Sequence, residues 1–88
     1  MALRIETGPS RWRRGTTEAE AWRVGHDRLT EIAAWCGGHT WASSVVVPVK
    51  PGEELAASLG DWVVRLPDGV QGVWPDATFR RLWKPVIA

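Results

Sequence analysis

The chain has 88 residues, seven of them Trp and one Cys, and a formal net charge of +1. That length gives one domain near the lower limit of independent folding, and so balanced a charge excludes binding to nucleic acid by bulk electrostatics alone. The single cysteine, Cys36, excludes an intrachain disulfide framework and fits a reducing cytoplasm.

Residues 1–15 read as a basic arm and residues 16–88 as a single α+β domain. The arm carries Arg4, Arg11, Trp12, Arg13 and Arg14, and Gly8-Pro9-Ser10 interrupts any regular element there. It lacks the apolar stretch of a signal peptide, so none is expected. Residues 16–24 predict a strand, with Glu18, Glu20, Trp22 and Val24 on one side and Thr17, Ala19, Ala21 and Arg23 on the other. Asp27 then offers an N-cap, and Leu29, Ile32, Ala33 and Cys36 recur at helical spacing until Gly37-Gly38 stops the helix. A helix this short is unstable alone, so its apolar stripe must lie against a sheet.

Residues 40–50 read as one strand, in which Val45, Val47 and Val49 alternate with Val46 and Pro48. Pro48 cannot donate to a ladder, which predicts an edge or a bulge. The apolar run 45–49 is far too short to cross a bilayer. Pro51-Gly52 marks a turn, and residues 55–59 a short returning strand. Runs 62–66 and 70–74 flank Pro67-Asp68-Gly69, the signature of a tight antiparallel hairpin, since Pro67 presets φ and Gly69 accepts φ > 0. Asp76 to Leu82 predicts a last turn of helix, after which Trp83, Pro85, Val86 and Ile87 pack back on the body.

The expected fold is a small, curved antiparallel sheet of about four or five strands with one short helix packed on it. Leu29, Ile32, Cys36, Val45, Val47, Val63, Phe79 and several Trp side chains should form the core. Each indole buries roughly 150–250 Å². All seven exceed what so small an interior holds, so some are expected to line a groove or an interface. An edge strand with surplus Trp also suggests a homodimer.

From Glu20 onward the order of motifs resembles a family of small, functionally uncharacterised tailed-phage and prophage proteins. The motifs are Glu20-Ala21-Trp22-Arg23-Val24-Gly25, Glu31-Ile32-Ala33-Ala34-Trp35-Cys36-Gly37-Gly38, Gly60-Asp61-Trp62-Val63-Val64-Arg65, and the closing Asp76-Ala77-Thr78-Phe79-Arg80-Arg81-Leu82-Trp83-Lys84-Pro85-Val86. They span about four fifths of the chain. The segment before Gly15 has no counterpart in that pattern. The resemblance implies a phage setting and an α+β fold, and no activity.

Candidate chemistry is sparse. Cys36, His39 and His26 amount to half a zinc site, which would need a carboxylate such as Asp27 as fourth ligand. The competing reading makes Cys36 a small apolar residue on the buried helix stripe. Cys36 and His39 as nucleophile and base would further need an orienting group and an oxyanion site. No catalytic residue, metal or cofactor is therefore assigned.

Basic residues beside aromatic ones carry more. Trp12, Arg13 and Arg14 in the arm, Trp62, Arg65 and Trp74 in the hairpin, and Arg80, Arg81 and Trp83 near the C-terminus are the assigned binding residues. The expected function is a non-enzymatic phage accessory protein that binds and inhibits a host protein in the cytoplasm of the infected bacterium. Two alternatives stay open: sequestration of a nucleotide-like small molecule in a Trp/Arg-lined pocket, and weak nucleic-acid binding through the arm. A concave aromatic cleft rimmed by arginine points to the small molecule, a flat exposed patch to a protein partner.

Overall fold

The computed structural model describes residues 8–87. The elements run β1 (Ser10–Arg14), β2 (Thr17–Arg23), α1 (Leu29–Cys36), β3 (His39–Trp41), β4 (Ser44–Lys50), β5 (Glu53–Ala57), β6 (Trp62–Arg65), β7 (Gln71–Trp74), α2 (Asp76–Leu82) and β8 (Lys84–Pro85). The fold is α+β. Two open antiparallel sheets stand where one curved sheet was expected: five strands in the order β7-β6-β2-β1-β8, and three in the order β3-β4-β5. The helical turn expected from Asp76 to Leu82 forms as a second helix, α2, beside α1.

The five-stranded sheet is the middle layer, because strict alternation sends its apolar side chains to both faces. In the β2–β6 ladder Trp22 stands opposite Val63 and Ala21 opposite Val64. The first pair joins a core of Val24, Ile32, Ala33, Cys36, Val45, Val47 and Ala57, which brings α1 and the three-stranded sheet onto that face. The second pair joins Trp12, Ala19, Trp62, Phe79 and Trp83, which brings α2 onto the other. Strand β6 is consequently buried from Trp62 to Val64. The expected core residues all lie in these clusters, Leu29 being only partly buried.

The segment read as an arm is described in part. Residues 1–7 lie outside the described residues, but Ser10–Arg14 is a sheet strand paired with both β2 and β8. Gly15 at φ +63° turns the chain directly from β1 into β2. Trp12 pins this strand: its ring meets Trp62 at 5.0 Å and Phe79 at 4.7 Å between centroids. The strand read from 40 to 50 is also corrected. It is a hairpin whose turn is Ala42-Ser43, with Trp41 opposite Ser44 and Ala42 at φ +54°. Pro48 sits at a register shift of the β4–β5 ladder, as its missing N–H requires.

The Pro67-Asp68-Gly69 hairpin forms as its residues dictate. Gly69 takes φ +90°, its N–H donates to the Leu66 carbonyl at 2.9 Å, and the Val70 N–H donates to Asp68 Oδ1 at 3.0 Å. Helix α1 starts after Arg28 rather than Asp27, without a side-chain cap.

Candidate functional site

The C-terminus of α1 explains two of the hairpin's polar side chains. A helix leaves its last four carbonyls without intrahelical partners. Gly38 N–H donates to the Ala33 carbonyl at 2.9 Å and Gly37 N–H to that of Ala34 at 3.4 Å. Arg65 Nη1 donates to the Trp35 carbonyl at 3.0 Å, and Gln71 Nε2 to that of Cys36 at 2.9 Å. Arg65 and Gln71 are cross-strand partners in the hairpin, so one pair of opposed residues caps the helix. The Arg65 guanidinium also lies 4.4 Å over the Trp35 ring and 2.9 Å from Glu20. Arg65 is thus a latch between sheet and helix, with one N–H on the helix and another on Glu20.

On the opposite face of the sheet, α2 is only seven residues long and covers only part of it. Phe79 stacks on Trp62 at 4.3 Å and on Trp83 at 6.1 Å, closing the covered part. The Trp62 Nε1–H donates to Asp76 Oδ1 at 2.8 Å, and Arg80 Nε donates to the same oxygen at 2.9 Å. That indole hydrogen bond, and then Arg80 and Arg23, hold the Asp76 carboxyl below the usual carboxylate range, with burial opposing them. Arg80 is therefore committed to its own helix.

Beyond Trp83 the sheet is uncovered, and a cleft of about 470 Å³ opens there. Its floor is Thr17, Val64, Leu66 and Gly72, and its walls are Trp74 and Trp83. These two rings meet edge to face at 6.3 Å. Arg14 stands at the rim, its guanidinium carbon 5.7 Å from the Trp74 ring centroid. Gly72 keeps the floor open, because it faces Val64 across the ladder and carries no side chain. Trp83 is 3% exposed, and its Nε1 has no hydrogen-bond partner among the described residues.

Of the assigned binding residues, the structure brings Arg14, Trp74 and Trp83 together. Trp12 and Trp62 are core members with their rings packed on Phe79, and neither lines the cleft. Arg65 and Arg80 are occupied as described. Arg13 and Arg81 are exposed and take no ion pair among the described residues. Cleft residues outside the assigned set are Thr17, Val64, Leu66, Val70, Gln71 and Gly72. A glycine inside a strand was the available signal, since it marks missing side-chain volume.

The remaining chemistry is dispersed. Cys36 is buried, and burial pushes its thiol pKa up, which disfavours the thiolate. His26 and His39 are both exposed, and among the described residues no three potential metal ligands gather. A second depression, of about 510 Å³, lies along Pro48–Glu54 and has no aromatic wall. No helix among the described residues is long and apolar enough to cross a membrane. Comparison with protein-family models, with curated proteins and with solved structures finds no match to this chain.

Proposed function

We propose that this chain is a non-enzymatic binding protein that holds a nucleotide-like small molecule in the cleft between Trp74, Trp83 and Arg14. The observation that carries the reading is the Arg14 guanidinium standing over the half-buried Trp74 ring at the mouth of an apolar hollow. The volume falls in the range of small-ligand sites. A planar ring can lie on the indole wall while an anionic group meets the cation. Among the described residues, Arg14 is the only ionisable side chain lining the cleft and no nucleophile lies beside a base there, which supports binding over catalysis. One cation suits a ligand of low charge better than a triphosphate. The motif order described above is the support for placing that ligand in the cytoplasm of a phage-infected bacterium.

The test is thermal denaturation across a panel of nucleotides and nucleobase-like anions. A ligand present at a hundred times its Kd adds about 2.7 kcal/mol to the native state, a rise of about 10–20 °C for a domain of this size. Arg14→Ala should abolish most of the shift while leaving the unliganded melt nearly unchanged, because Arg14 is exposed. A panel without any shift removes the reading.

Binding of a host protein is the second reading. Its support is Trp41, 71% exposed at the end of β3. If that reading holds, a partner captured by the wild-type chain is lost with Trp41→Ser and kept with Arg14→Ala.

A further inference from the structure

The four sheet edges are not equally protected. β5 presents Glu53 and Glu54, and β8 consists of Lys84 and Pro85. Charges and proline of this kind discourage edge-to-edge pairing. β4 and β5 pack against β7. β3 has none of these devices: His39, Thr40 and Trp41 are all exposed, and residues 36–49 contain no Asp, Glu, Lys or Arg.

The ladder fixes which groups of β3 point outward. Trp41 and Ser44 flank a two-residue turn, so they form its hydrogen-bonded closing pair. Alternation then turns the N–H and C=O of Thr40 away from β4. Neither group has a partner among the described residues. An exposed large ring thus stands beside an open, uncharged backbone edge.

We propose that this edge pairs with a second copy of the chain: two β3 strands join antiparallel on a two-fold axis between their Thr40 residues. A two-fold axis brings each central residue against itself, which a neutral strand tolerates and the β5 edge, with Glu53 and Glu54, does not. In this register Thr40 exchanges both backbone hydrogen bonds with the partner's Thr40. Trp41 stands opposite the partner's His39, an aromatic cross-strand pair of the kind that stabilises sheets. So short a strand buries less than a standard interface, so the dimer is a weak one. The pairing is independent of the cleft, which lies on the five-stranded sheet.

Sedimentation equilibrium of the whole chain from about 10 µM to about 1 mM tests the pairing over the weak-affinity range. The wild-type mass should rise from one chain toward two. T40K and T40E place like charges directly opposite across the axis and should each associate about tenfold or more weakly. Because Thr40 is exposed, both variants should melt like the wild type. An equal mixture of T40K and T40E should recover association, since the axis then sets opposite charges together. A wild-type chain that stays single at the highest concentration overturns the proposal. So does T40K self-association as strong as wild type, or a mixture that recovers nothing, the outcome expected of any other surface.

Discussion

Replacing Arg65 by Met separates two roles that its position leaves open on paper. Met keeps most of the apolar stem but removes the guanidinium. Three interactions then go: the hydrogen bond to the Trp35 carbonyl at 3.0 Å, the stacking on the Trp35 ring at 4.4 Å, and the ion pair with Glu20 at 2.9 Å. The first leaves a carbonyl at the helix end unsatisfied, about 1.5–3 kcal/mol for a charge-assisted bond. The cation–π contact contributes about 0.5–1 kcal/mol. The ion pair is half exposed and contributes about 0–1 kcal/mol. These terms share one side chain and do not add fully, so the expected loss is about 2–4 kcal/mol. Urea denaturation should show it as a lower midpoint at unchanged slope, with the melting temperature down by about 10–30 °C. Ligand affinity in the cleft should be unaffected at temperatures where the variant is folded. A variant within about 0.5 kcal/mol of wild type that has lost ligand binding would refute the latch and return Arg65 to the binding set.

Three further outcomes follow from local geometry. Gly38→Ala would drive a Cβ into the Val46 backbone carbonyl and against Cys36 Sγ, costing about 3 kcal/mol. Gly37→Ala meets open space and suffers only its left-handed φ, about 1–2 kcal/mol, so equilibrium denaturation should rank Gly38 as the worse site. Ala42→Gly relieves a left-handed alanine at φ +54° and should raise stability by about 0.5–1 kcal/mol, seen as a melting point a few degrees higher. Asp76 has its pKa depressed in the folded state by the Trp62 indole, with Arg80 and Arg23 adding to it. Its contribution is therefore present above the unfolded-state value and is lost as pH falls below about 4. Asp76→Asn should flatten the stability–pH curve in that acidic window, and unchanged steepness there would remove the effect.

Much of the fold was readable because local chemistry decided it. Gly37-Gly38 ends α1 where only a residue tolerant of positive φ can, and Pro67-Asp68-Gly69 turns β6 into β7. The errors came where local signals were silent or misleading. Ala42 is no turn former, yet it takes φ +54° between strands that pair with each other, so one strand was read in place of two. In β1 the arginines hid a strand whose single deeply buried side chain is Trp12. That burial is set by β2 and α2, and no neighbouring residue announces it. The cleft was legible only as residue types. Arg14, Trp74 and Trp83 line it, while Trp12 and Trp62 sit in the same aromatic cluster but under α2. What separates them is where a seven-residue helix stops covering the sheet, a tertiary fact that spacing does not encode.

The central claim is that the hollow beside Trp74 is a ligand site, and filling it is the most direct test. A Cβ at Gly72 would meet only the Trp74 Nε1, at 3.6 Å, an ordinary contact, so Gly72→Leu should fold and occupy the floor. Tryptophan fluorescence titrated with nucleoside monophosphates should give a saturable change in the wild-type chain and none in Gly72→Leu. Equal responses from both chains, or no response from the wild type at any ligand concentration, would contradict the account.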